Sequence, residues 1–357
     1  MAVEPTRSAT LVVDLDALAR NFAKLCRAAA PAQCAAVVKA DAYGLGVERI
    51  AKRLLQEGCR RLFVATAGEA RELRAYAPAA EIYVLEGARD GQTDTLVAAR
   101  ALPVLSSLEQ IRRWSGRAVL QIDTGMGRLG LSAAEVEELA ARPELLERVS
   151  VELMLTHFAC ADEPEHPMNP DQQRTFERLR RLLPDAATSI GNSAATLFDA
   201  GRGGDIARPG IALYGGNPFA SGENPMETVA TLTAPIVQIR AVEHTQTVGY
   251  GATYVAQPPA RLAIVGAGYA DGYPRALGNR GSAALAGRRV PVVGRVSMDL
   301  LCVDVSAVPP EVARVGAPVE LIGPTVTVDE VAAFAGTISY EILTGLNPRL
   351  HRDYRGV

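Results

Sequence analysis

Short apolar runs alternate with amphipathic stretches over the first two thirds of the chain, and this alternation constrains the fold more than any other feature. The runs lie at residues 35–38, 62–65, 82–85, 102–105, 118–122, 151–155, 187–190 and 205–213, eight in all. Between them, helical spacing of apolar side chains predicts helices such as 47–57, 67–76, 107–114, 132–141 and 171–182. A run that is apolar on every residue reads as a strand buried on both faces, the pattern of a parallel sheet covered by helices. Eight such units over about two hundred residues predict a closed (β/α)8 TIM-type barrel rather than an open, doubly wound sheet.

Past about residue 225 the texture changes. Helical spacing fades, and β-like runs at 235–242, 261–265, 289–293 and 301–305 are broken by Gly and Pro. The expectation is α/β overall: a barrel over residues 10–225, then a mainly β C-terminal domain over 226–357. The seam falls in the Pro-, Gly-, Ser- and Asn-rich stretch 217–225. Residues 9–14 also read as a strand, and the segment 1–14 is expected to pair with the second domain.

A net charge of -3 on 357 residues gives no electrostatic case for nucleic acid or an anionic membrane. No apolar run approaches the ~18 residues needed to span a bilayer. The first ten residues carry no apolar core of a secretory signal. The five cysteines, Cys26, Cys34, Cys59, Cys160 and Cys302, are odd in number and widely scattered. They are expected to be reduced, buried and cytoplasmic rather than disulfide-bonded. Four histidines without i, i+4 partners predict no metal site.

In a barrel the C-terminal ends of the strands carry the chemistry, and an anion often binds after strands seven and eight. Lys39 ends the first run, in Val38-Lys39-Ala40-Asp41-Ala42-Tyr43-Gly44. Partial desolvation there lowers an amine's pKa and frees it to attack a carbonyl carbon. A lysine snorkelling from a strand end explains the position equally well. Asn192 and Ser193 follow run seven and open a helix, which suits a phosphate or simply an N-cap. Arg208-Pro209-Gly210-Ile211 lies on run eight, where Gly210 lets backbone approach an anion. Arg128 closes Asp123-Thr124-Gly125-Met126-Gly127-Arg128 and could meet an anionic oxygen. His157 ends run six. Tyr250, between Gly249 and Gly251 in the β domain, is an unshielded phenol able to act as acid or base.

Together these segments resemble the alanine racemase family of pyridoxal-phosphate enzymes, over about residues 12–354. The resemblance also rests on Gly268-Tyr269-Ala270-Asp271-Gly272 and Gly294-Arg295-Val296-Ser297-Met298-Asp299. It implies an isomerase that interconverts L- and D-alanine with pyridoxal 5'-phosphate, supplying D-alanine for peptidoglycan. It implies a homodimer with shared active sites. Lys39 then holds the cofactor through an imine and is one of two bases, and Tyr250 from the partner subunit is the other. Tyr43, Asn192, Ser193, Gly210 and Ile211 surround the phosphate, Arg208 meets the pyridine nitrogen, and His157 lies beside the ring. Arg128 and the Met298 backbone serve the substrate carboxylate, and Tyr269 narrows the entrance.

Two positions depart from the family pattern. Gln121 stands where many members carry a carbamylated lysine, so the amide or an anion such as chloride is expected to position Arg128. Pro348 stands where some members carry an entrance tyrosine that touches phosphate. A racemase of broader scope, or a pyridoxal-phosphate decarboxylase of basic amino acids, remains the alternative.

Overall fold

The computed structural model describes residues 9–198 and 204–356. Its strands are numbered in chain order. After β1 (Thr10–Asp14) come β2 (Gln33–Cys34), β3 (Ala36–Val37), β4 (Arg61–Val64), β5 (Glu81–Val84), β6 (Ala101–Leu105), β7 (Gly116–Gln121), β8 (Val149–Leu155), β9 (Ala187–Ser189) and β10 (Ile206–Ala207). Strands β3 to β9 form one parallel sheet in sequence order. β10 closes it. It pairs in parallel with β2, and Ala35 and Val37 donate their N–H groups to Ala207 O and Pro209 O at 2.9 and 3.0 Å. On its other side Asp205 N reaches Thr188 O and Arg208 N reaches Gly191 O, both at 2.8 Å. The expected eight-stave barrel is therefore present, with β2 and β3 as one broken stave.

The staves close because both of their faces are apolar. Leu62, Phe63, Ile82, Val84, Val104, Leu105, Val119 and Leu120 are fully buried. The helix Val47–Gln56 buries Val47, Ile50, Ala51 and Leu54, one stripe at helical spacing. The helix Ala67–Tyr76 starts at a capping box between Thr66 and Glu69. The eighth run is shorter as a strand than its apolarity suggests. Only Ile206–Ala207 is extended, and Ile211–Tyr214 forms a 3₁₀ turn.

The second domain contains β11 (Ala230–Val242), β12 (Gln246–Val248), β13 (Tyr254–Ala256), β14 (Ala260–Val265), β15 (Ser282–Leu285), β16 (Arg288–Pro291), β17 (Leu301–Asp304), β18 (Pro318–Ile322) and β19 (His351–Arg355). β1 joins this sheet, antiparallel to β11 and parallel to β19. Residues 1–8 of the expected pairing segment lie outside the described residues. Two helices, Val328–Ala335 and Ser339–Thr344, follow β18 in a region read as β. No described helix is long and apolar enough to cross a membrane. The cysteines are all free, but only Cys59 and Cys302 are buried. Cys26, Cys34 and Cys160 are partly exposed, which corrects the expectation for those three.

Candidate active site

Lys39 does not end its strand. β3 stops at Val37, and Lys39 opens a turn in which Ala40, Asp41, Ala42 and Tyr43 all have φ between +52° and +56°. Left-handed backbone costs each non-glycine residue roughly 1–2 kcal/mol. One side chain from outside the turn and one within it hold it: Glu69 accepts from Ala40 N at 2.8 Å, and Asp41 itself accepts from Val47 N at 2.7 Å. A Cβ on Gly44 would collide with Leu343 O. The turn throws Lys39 into a cavity of about 380 Å³ at the barrel mouth, shared with Tyr43, Gln121, Arg128, His157, Asn192, Ser193, Arg208, Gly210, Ile211 and Tyr340. Burial, and then Arg128, lowers the pKa of the Lys39 amine.

Arg208 is 5% exposed, and no carboxylate among the described residues meets it. It donates to Ser189 Oγ, to Thr156 O at 2.7 Å and to His157 Nδ1 at 3.4 Å. Burial lowers its pKa to about 10, so it remains a cation at neutral pH. A guanidinium only donates, so Nδ1 of His157 accepts and its proton sits on Nε2. Burial, with Arg208, Arg128 and Lys39 adding to it, pushes His157 down to about 3, and the imidazole is neutral. Gln172, buried in the helix Met168–Arg180, donates to His157 O and Thr124 Oγ1 at 2.9 and 3.1 Å and accepts from Ala159 N.

The opposite wall offers donors. Ser193 Oγ accepts from Gly210 N at 2.8 Å and from Ala212 N at 3.3 Å, which leaves its hydroxyl proton for another acceptor. Asn192 caps its own helix, with Oδ1 accepting from Ala195 N at 3.1 Å. The backbone N–H groups of Ser193, Ala194 and Ile211 have no acceptor among the described residues. Gly210 supplies room: a Cβ there would strike the Tyr43 hydroxyl. Tyr43 stacks on Tyr214 at 4.6 Å and packs tilted against Tyr340 at 5.9 Å. Burial raises the pKa of Tyr43, so its phenol keeps its proton.

Three cations, a neutral imidazole and a cradle of unpaired donors suit a ligand that is strongly anionic at one end and electrophilic at the other. A phosphorylated aldehyde has that chemistry, and the residues present fit it.

Arg128 has no hydrogen-bond or ion-pair partner among the described residues. The Gln121 amide donates to Leu129 O at 2.8 Å, so it braces the Arg128 loop through backbone rather than holding the guanidinium. Asp123 ties that loop by accepting from Gly125, Met126 and Gly127 N–H groups. Pro348 is exposed and does not line the cavity. A second tyrosine beside Tyr43 does line it: Tyr340, unmarked by any motif and carried by the helix Ser339–Thr344. No motif marks Gln172, whereas Glu69 carries a sequence signal in the Thr66-x-x-Glu69 capping box.

Tyr250, Tyr269 and Met298 do not line the cavity. They lie on the β domain, 71%, 42% and 54% exposed. Tyr250 sits in a turn between Gly249 and Gly251, with the Arg295 guanidinium alongside.

A closed barrel with a partly desolvated amine and an anion cradle at its mouth, followed by a β domain, defines the class of two-domain barrel enzymes. Residues 13–218 match the family model "Alanine racemase, N-terminal domain", and residues 229–354 match "Alanine racemase, C-terminal domain". An alanine racemase of Rhodospirillum rubrum is 46% identical, the match covering 100% of this chain and 98% of that one. A catabolic alanine racemase of Agrobacterium fabrum is 44% identical over 97% of this chain and 92% of its own. A crystal structure of alanine racemase from Bartonella henselae with covalently bound pyridoxal phosphate superposes with a TM-score of 0.93 at 35% identity, covering 97% and 99% of the two chains. The chain belongs to the alanine racemase family.

Proposed function

We propose that this protein interconverts L- and D-alanine with pyridoxal 5'-phosphate, supplying D-alanine for peptidoglycan, as a homodimer whose active sites draw on both subunits. The observation that carries this reading is that Lys39 and the donors Ser193, Ile211 and Tyr43 line one and the same cavity.

When bound, pyridoxal phosphate acidifies the α-proton of an attached amino acid by drawing electron density from the α-carbon. The chain supplies the rest. The Lys39 amine is the point of covalent attachment, and its lowered pKa supports a neutral fraction able to take a proton. The Ser193 hydroxyl, the Ile211 N–H and Tyr43 hold the phosphate, with Asn192 and Gly210 shaping the cradle. Arg208, fixed by Ser189 and Thr156, is the cation that would meet the pyridine nitrogen of the bound cofactor and would disfavour its protonation. The unpartnered Arg128 and the Met298 backbone N–H receive the substrate carboxylate, and Tyr269 narrows the approach.

Inversion requires proton exchange on both faces of the α-carbon, because one base on one face returns the proton to where it came from. Lys39 serves one face. Tyr250 of the partner subunit serves the other, which accounts for a phenol so exposed on a single chain. The test is complementation. Lys39→Ala and Tyr250→Phe chains, each inactive alone, are unfolded together and refolded as mixed dimers. Shared sites give one intact site per hybrid and about a quarter of wild-type activity after random pairing. Sites built within one chain give none.

A further inference from the structure

Three segments meet at Arg349. Its Nε and Nη2 grip Asp271 Oδ1 and Oδ2 at 2.7 and 2.8 Å, and Nη2 also reaches Asp299 Oδ1 at 2.9 Å. Asp271 is 6% exposed and also accepts from Gly268 N at 2.9 Å. Backbone bonds lace the same segments: Tyr269 N to Ser297 O at 3.0 Å, Ala270 N to Met298 O at 2.9 Å, and Asn347 N to Asp271 O at 3.2 Å. Gly268 packs so closely on Met298 O that no Cβ fits there. One guanidinium therefore fixes the loop that bears Tyr269 against the loop that bears Met298.

The charge balance is as telling as the geometry. Asp271 and Asp299 bring two negative charges to one cation, and one of them is nearly buried. Without Arg349 both carboxylates would stand uncompensated beside the exposed Tyr269 and Met298. A substrate that arrives as a carboxylate would meet repulsion at that point.

We propose that Arg349 is a positioning residue for the substrate entrance: it sets Tyr269 against Met298 and neutralises Asp271 and Asp299 so that an amino-acid carboxylate can approach the Met298 N–H. This rests on the reading above, in which Tyr269 and Met298 face alanine. Arg349 touches neither substrate nor cofactor.

The test uses purified holoenzyme with Arg349→Gln, Arg349→Lys, and Arg349→Gln combined with Asp299→Asn. Arg349→Gln is expected to raise KM for both enantiomers about tenfold while kcat changes less than about threefold. The absorbance of the covalently bound cofactor stays at the wild-type level. Adding Asp299→Asn recovers part of the lost KM, and added salt lowers the KM of Arg349→Gln by screening the freed carboxylates. If Arg349→Gln fails to fold, Arg349→Lys carries the test. A lysine meets one carboxylate at a time, so KM rises about threefold and again falls with Asp299→Asn. An unchanged KM, a loss confined to kcat, or a KM that ignores both Asp299→Asn and salt overturns the proposal. A wild-type protein without the cofactor absorbance would instead remove the reading on which it rests.

Discussion

In the proposed reaction the barrel mouth and the exposed loops of the β domain carry complementary halves of the chemistry, and the protein builds them differently. At the mouth, Lys39, His157, Ser193 and Arg208 converge in one recessed cavity. This has electrostatic consequences: the amine, the imidazole and the guanidinium are all shifted toward their neutral forms by burial. On the β domain, Tyr250, Tyr269 and Met298 lie in the open. Loop knots fix them instead, the glycine-flanked turn at Tyr250 and the Arg349 bridge at Tyr269 and Met298. A cavity tunes groups by withdrawing water. An exposed edge can only aim its groups at a site completed from elsewhere.

Substitutions on the two sides should separate along that line. Lys39→Ala is expected to abolish both the covalently bound cofactor and racemisation, the latter by about 10⁴-fold. Tyr250→Phe should keep the bound cofactor and lower racemisation by about 10²–10⁴-fold. Absorbance spectra recorded beside optical-rotation assays separate the two, and a Tyr250→Phe protein with full activity would break the division of labour.

A smaller effect sharpens the account of the mouth. His157 has a folded pKa of about 3, below its ordinary value of ~6.5. The unfolded chain therefore binds the extra proton first as pH falls. The contribution of the neutral imidazole to stability is complete above pH ~6.5 and is lost progressively toward pH 3. At pH 5 the loss amounts to at most ~2 kcal/mol. Denaturant unfolding across pH 7 to 4.5 should show a shallower fall for His157→Gln than for the wild type. Identical slopes would mean that the imidazole titrates normally.

The repeat of short apolar runs disclosed the barrel because each stave must be apolar on both faces. Apolarity reports burial rather than extension, which is why the run at 205–213 overshoots its strand: Arg208-Pro209-Gly210 turns the chain out of β geometry while Ile211 and Leu213 stay buried. The turn after Val37 was illegible. Four consecutive non-glycine residues at positive φ have no local signature, and their support comes from Glu69 and Asp41 side chains. The helix Val328–Ala335 did announce itself in the Thr327-x-x-Glu330 capping box, yet the surrounding β texture obscured it. Tyr340 had no such signal. It reaches the cavity from a helix some 300 residues beyond Lys39 in the chain, a contact that only the tertiary fold creates.

The proposed chemistry depends on a covalent bond between the Lys39 amine and an aldehyde carbon. Borohydride reduction of the holoenzyme, followed by digestion and mass spectrometry, tests it directly. The account predicts the pyridoxyl label on the peptide containing Lys39 and nowhere else. A label on another lysine, or an unlabelled Lys39 peptide from protein that racemises alanine, would contradict it.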